Sequence, residues 1–232
     1  MKNSVINKTI EYPLILSNNE YAHLLLILND YRDSPEYKKW FIQNFNDIYF
    51  IKRDFSEFEN VICFLPDINE RIIKKCPFIN VERFSRNNTD NIIGEIKNWI
   101  DTGYFVVIQL NKYYLPCASE YQKMDIIHRV LLYGYDDDSE TFETADMFKL
   151  TGYMLEPIKY ADFINAYSSC TQMKNTEYDV LEIISVQDYK CTLDIQSLKK
   201  NMNQYIVRNE PFKDCEIYQA LIRSLHQEDY LD

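Results

Sequence analysis

His128 and Asp146 are the residues of this chain whose types and spacing come nearest to chemistry. They bracket the stretch "HRVLLYGYDDDSETFETAD", in which two apolar runs flank an acidic, turn-forming centre at Gly134 to Glu140. Such a pattern predicts a β-hairpin. With its turn centred on Asp137, residues whose numbers sum to 274 would pair, and His128 would face Asp146 with Cβ atoms about 4.5–5.5 Å apart. A carboxylate across from an imidazole fixes its tautomer and stabilises the imidazolium that forms when a proton is taken up. That is the orienting half of a nucleophile–histidine–aspartate system. The plainer alternative is a buried histidine hydrogen-bonded to an aspartate with no chemistry attached.

Other polar residues have structural explanations. Ser17 and Glu20 form an S-x-x-E capping box at the start of "LSNNEYAHLLLILNDY", an amphipathic helix over 16–31 in which Leu16 and Tyr21 can make the hydrophobic staple. His23 on that helix reads as a partly exposed histidine. The Asp136–Asp138 run reads as a solvated turn, because a calcium loop needs more ligands at defined spacing. Gln109 ends a buried run without an assignable role. Six cysteines stand at 63, 76, 117, 170, 191 and 215 without a CxxC pair. They read as buried hydrophobes or free thiols, and Cys117, eleven residues before His128, is the one within reach of the imidazole.

The elements around this pair are legible in outline. A helix is expected over 36–45 and short strands at "IYFI" and "VICFL". Further helices are expected over 67–75 and over 89–101, the latter with Ile92, Ile93, Ile96, Trp99 and Ile100 buried. Gly103 suits the left-handed position after its last turn. "YFVVIQL" is a central strand, and "NKYYLPCASEYQK" a loop. Helix is expected from Pro157 to Ser168, strand from Val180 to Val186, and helix at 197–207 and 214–226. The class is α+β. The single soft boundary divides a core domain, 1–155, from a C-terminal extension, 156–232.

Composition narrows the function. With 232 residues and 46% hydrophobic content the chain can bury a core. A net charge of −11 would repel a phosphate backbone, which disfavours nucleic acid as partner. Four scattered glycines exclude a phosphate-binding loop or dinucleotide fingerprint. Three histidines without nearby ligand partners argue against zinc, and no cofactor is expected. A polar N-terminus and no long apolar run predict a cytoplasmic chain without membrane spans. The Asn, Ile, Lys and Tyr bias points to an AT-rich, bacterial genome.

"GYFVVIQL", "NKYYLP" and "HRVLLYGYDDDSETFETAD", with the later "ADFINAY" and "CEIYQALIRSL", resemble the papain-like cysteine-peptidase fold. The likeness is to its branch of bacteriocin-processing peptidases and N-terminal domains of butirosin-biosynthesis-H-type proteins. It covers roughly residues 12–170. The resemblance implies a two-lobed fold with an N-terminal helical lobe and an antiparallel sheet lobe. It also implies acyl chemistry on peptides or on thioesters held by a peptidyl or acyl carrier protein, of the kind found in nonribosomal peptide and polyketide assembly. His128 would be base and acid, and Asp146 its orienter. The family's nucleophilic cysteine opens the first long helix, where the helix dipole lowers its pKa; here that place falls at Asn19. Ser17 and Cys117 are the substitutes to consider. A variant without nucleophile would let His128 deprotonate an amine attacking an activated thioester. The alternative is a pseudoenzyme whose cleft binds a peptide, a carrier protein or a partner enzyme.

Overall fold

The computed structural model describes residues 3–5, 12–13, 19–44, 49–52, 60–63, 76–85, 91–149, 152–171 and 180–200. The helices expected over 67–75 and 214–226 lie outside these residues, as does Ser17. The chain forms two compact units, residues 1–34 with 67–190, and residues 35–66 with 191–232. The boundary expected between 155 and 156 falls inside a strand of the first unit.

In the second unit a helix, α2 (Pro35–Asn44), buries Tyr37 and Trp40, which meet at 5.8 Å between ring centroids. Strands β2 (Tyr49–Lys52) and β3 (Asn60–Cys63) pair antiparallel. The helix expected from Ser197 starts earlier, after Asp194, whose side chain accepts from Gln196 and Ser197 N–H.

The first unit is built on an antiparallel sheet. Its strands are β4 (Ile79–Ser85), β5 (Phe105–Asn111), β6 (Ile127–Asp136), β7 (Thr141–Lys149), β8 (Gly152–Lys159) and β9 (Val180–Val186), in the order β4-β9-β5-β6-β7-β8. A short β1 (Asn3–Val5) pairs with the far end of β6. Strand side chains alternate between faces. Val106, Ile108 and Leu110 of β5 and Val130 and Leu132 of β6 pack on Ile92, Ile96 and Ile100 of α3 (Ile92–Asp101) and on Phe163 and Ala166 of α4 (Tyr160–Thr171).

The opposite face receives α1 (Asn19–Ile27). Tyr21 to Leu28 are all buried. The amphipathic helix expected here is therefore buried on every side, with His23 the one polar residue from Tyr21 to Leu28 apart from the Tyr21 hydroxyl. A 3-10 turn, Asn29–Tyr31, continues it.

Helix α3 shows how local chemistry sets these elements. Asn91 caps it by accepting from Gly94 N–H at 3.1 Å, and a Cβ on Gly94 would collide with that capping side chain. At its end Gly103 sits at φ +90°, where Gly103 N–H bonds Ile100 O and Tyr104 N–H bonds Trp99 O. This pair of bonds is the glycine-terminated motif expected from the sequence. Trp99 and Ile93, expected to be buried, are only half-buried; both pack against the core, and Trp99 also stacks on the exposed Phe84.

The hairpin is present, but its register differs from the expected sum of 274. Asp136 pairs with Thr141 and Tyr135 with Phe142, a sum of 277; beyond a bulge, Leu132 pairs with Thr144 and Leu131 with Ala145, a sum of 276. The turn holds four residues, 137–140, with Glu140 at φ +53°. The bulge at Tyr133 returns Tyr135 to the face of Leu132. The expected helix from Pro157 begins instead at Tyr160, and Pro157 lies in β8 at the sheet edge.

Candidate functional site

Carrying the 276 register one pair past Leu131 places Asp146 opposite Val130, so His128 is its diagonal neighbour on the same face. A diagonal pair is within reach of long side chains. His128 Nδ1 lies 2.8 Å from Asp146 Oδ1 and 2.7 Å from Oδ2. A carboxylate accepts only, so Nδ1 carries the proton and Nε2 holds the lone pair. Asp146 is fully buried, while the His128 side chain is 29% exposed.

Lys112 completes the group. It follows β5, opening a 3-10 helix (Lys112–Tyr114), and is buried. Its ammonium lies 3.4 Å from Asp146 Oδ2 and donates to Met147 O at 2.5 Å. Burial alone would raise the Asp146 carboxyl. The His128 hydrogen bond, first, and the charges of His128 and Lys112 outweigh it and hold the carboxyl below its ordinary value. Asp146 is thus an ionised orienter for His128 at neutral pH.

Cys117 is half-buried in the loop on this side of the sheet. Burial pushes its thiol up to about 12, and the charges of Glu156 and Asp146 add to the rise. At neutral pH it is a thiol rather than a thiolate, so it lacks the activated form a nucleophile needs. Cys76, Cys117, Cys170 and Cys191 are all free, and burial likewise pushes Cys76 up to about 12.

The resemblance implies that the start of α1 faces His128. The contacts of that first turn are instead with Arg129. Asn19, partly buried, opens the helix, and the next residue, Glu20, puts Oε1 2.9 Å from Arg129 Nε. Arg129 follows His128 and so points to the other face. There it also meets the buried Glu182 of β9, which pairs in turn with Arg83 of β4 at 2.7 Å.

His23, expected to be partly exposed, is fully buried on that face. Its Nε2 is 3.1 Å from Arg129 O and its Nδ1 2.7 Å from Tyr153 Oη. A carbonyl only accepts, so Nε2–H donates to Arg129 O and the Tyr153 hydroxyl donates to Nδ1. Desolvation lowers the His23 pKa, against the raising charge of Asp146, and keeps the ring neutral.

The acidic turn is a structural tie. Asp136 accepts from Asp138 N–H at 2.8 Å, and Asp137 pairs with Lys97 and accepts from Tyr160 Oη–H at 3.1 Å. Gln109 is buried opposite Arg129 in the β5–β6 ladder. Lys112, Arg129 and Glu182 were not singled out from the sequence. The available signal was a charged residue within or ending an apolar strand, as in "HRVLLY" and "VLEIISV", which requires a partner once buried.

Three comparisons bear on this geometry. No family model matches the chain, and no curated protein matches it. Among solved structures, a chain from Bacillus anthracis described as a candidate C39-like peptidase aligns at 18% identity with a TM-score of 0.30. The alignment covers 49% of this chain and 54% of that one, about half its length. Among the described residues no helix is long and apolar enough to cross a membrane.

Proposed function

We propose that this chain is a papain-like acyl-transfer protein in which His128 acts as general base without a cysteine nucleophile. The single observation that carries the reading is the bond of His128 Nδ1 to the buried, ionised Asp146. It leaves Nε2 as a basic lone pair on a partly exposed ring. A primary amine attacking a thioester carbonyl would pass its proton to Nε2. The carbon–sulfur bond would then break, and the departing thiolate would take the proton back from the imidazolium. A thioester is already activated, so this route needs no acyl-enzyme. Its substrates would be peptidyl or acyl groups on a carrier protein, in nonribosomal peptide or polyketide assembly, with a peptide or small amine as acceptor.

The second reading is a catalytically inactive member of the same fold, binding a peptide, carrier protein or partner enzyme. The Glu20–Arg129 ion pair favours it, since the turn that would hold a nucleophile is spent on a structural contact.

An acyl-pantetheine thioester mixed with a primary amine separates the two. Amine-dependent thiol release is expected with the wild type and is expected to fall about 100-fold or more in His128→Ala. Intact mass spectra are expected to show no acyl group on the protein. Release no faster than in buffer, or equal in both proteins, would favour the inactive reading. Acylation at Ser17 or Cys117 would mean a relocated nucleophile.

A further inference from the structure

We propose that Lys112 is a positioning residue of the His128 site, its buried ammonium bracing Asp146 against His128 where strands β6 and β7 part. The inference rests on the base reading of His128 given above.

Backbone pairing between β6 and β7 runs from Asp136↔Thr141 to Leu131↔Ala145. His128 and Asp146 both lie beyond the last of these pairs, each laddered instead to its outer neighbour, His128 to Leu110 of β5 and Asp146 to Met154 of β8. Lys112 adds a bond on each side. Its own N–H donates to Ile126 O at 2.8 Å, two residues before His128. Its ammonium bonds Met147 O, one residue after Asp146, and lies 3.4 Å from the Asp146 carboxylate. The residue is itself held. Asn111 accepts from Tyr113 N–H at 3.0 Å and donates to Asp125 at 2.9 Å, fixing the turn that carries Lys112.

A lysine is rarely this buried unless paired. Here the charge also has chemical use. Once His128 is neutral, a buried carboxylate beside it has lost its cationic partner. Lys112 remains and keeps Asp146 ionised, so the orienter is in place before the imidazole takes a proton. The charged and titratable groups that act on Asp146 beside His128 are Lys112 from the turn after β5, Cys117 from the following loop, Tyr153 from β8 and His23 from α1 across the sheet; Glu156 of β8 acts on Cys117.

The test reads the His128 ring directly, by ¹⁵N-edited titration of the full chain, so it does not depend on turnover. Lys112→Met removes the charge. Lys112→Gln removes it too but keeps a donor for Met147 O, and serves if the methionine variant does not fold. In a folded variant the His128 midpoint is expected to move up, because the cation beside Asp146 is gone. Lys112→Arg, which keeps the charge, is expected to titrate as the wild type. An unchanged midpoint in a folded, charge-free variant would overturn the proposal. Thioester aminolysis measured in parallel keeps the two questions apart. A midpoint shifted in the variants, beside a wild type that shows no activity, would refute the base reading and leave the bracing role standing. Activity with an unshifted midpoint would do the reverse.

Discussion

The two faces of the sheet in the first unit carry two buried polar centres that differ in kind. On the α3/α4 face, His128, Asp146 and Lys112 share one carboxylate, and the imidazole keeps 29% of its surface in solvent. On the α1 face, Glu20, Arg129, Glu182 and Arg83 form a chain of ion pairs, and His23 is closed off completely. His128 and Arg129 are sequence neighbours, yet strand alternation sends them to opposite centres. One centre leaves its imidazole partly in solvent. The other uses every polar atom of its histidine to hold a tyrosine and a backbone carbonyl.

Breaking the α1-face centre should cost most in stability. Arg129→Met would strip Glu182, 1% exposed, and Glu20 of a shared cation, and a loss of about 3–5 kcal/mol in urea unfolding is expected. A loss below about 1 kcal/mol would show that Arg83 alone suffices for Glu182. On the α3/α4 face, Ile96→Ala is expected to cost about 2–4 kcal/mol, as Ile96 is fully buried. Trp99→Ala should cost less than Ile96→Ala, because that ring is half-buried against the exposed Phe84.

Acid should separate the centres more gently. His23 binds a proton less readily folded than unfolded, so the unfolded chain gains protons first as pH falls. The contribution of a neutral His23 is whole above its ordinary value of 6.5 and is lost as pH drops below it. Asp146 has a linkage of the same sign at lower pH, because its carboxyl too binds a proton less readily folded than unfolded. Its stabilisation is present above the ordinary 3.8 and is lost only as pH falls from there towards its lower folded value. Stability measured against pH should therefore show two limbs. His23→Gln should remove the upper one and leave the lower; loss of both together would contradict their assignment to separate centres.

How much of this was legible in the sequence depends on what each segment's neighbours hide. The hairpin was readable because two apolar runs flank an acidic turn. Its register was not, because a four-residue turn and the bulge at Tyr133 each shift the pairing. The expected and observed sums at Leu131 and Leu132 differ by two, which preserves the side-chain face. His128 and Asp146 therefore meet as foreseen, though diagonally. β8 was missed because Pro157 and Glu156 argue against a strand, yet a proline is tolerated at a sheet edge. The partner of α1 was also missed. Its approach is set by which face of β6 the helix covers, and the sequence of α1 alone does not specify that. Lys112 was invisible for a similar reason: its partners come from β6 and β7.

The central claim is that His128 is a base at Nε2, its Nδ1 proton held by Asp146. Long-range ¹H–¹⁵N spectra of the histidine rings at pH 8 test it most directly, with His128→Ala and His23→Gln to assign the signals. The two histidines should be opposite tautomers: His128 protonated at Nδ1 and bare at Nε2, His23 protonated at Nε2 and accepting at Nδ1. A His128 ring protonated at Nε2 instead would contradict the account, because its Nδ1 could not donate to Asp146 and no lone pair would face the substrate.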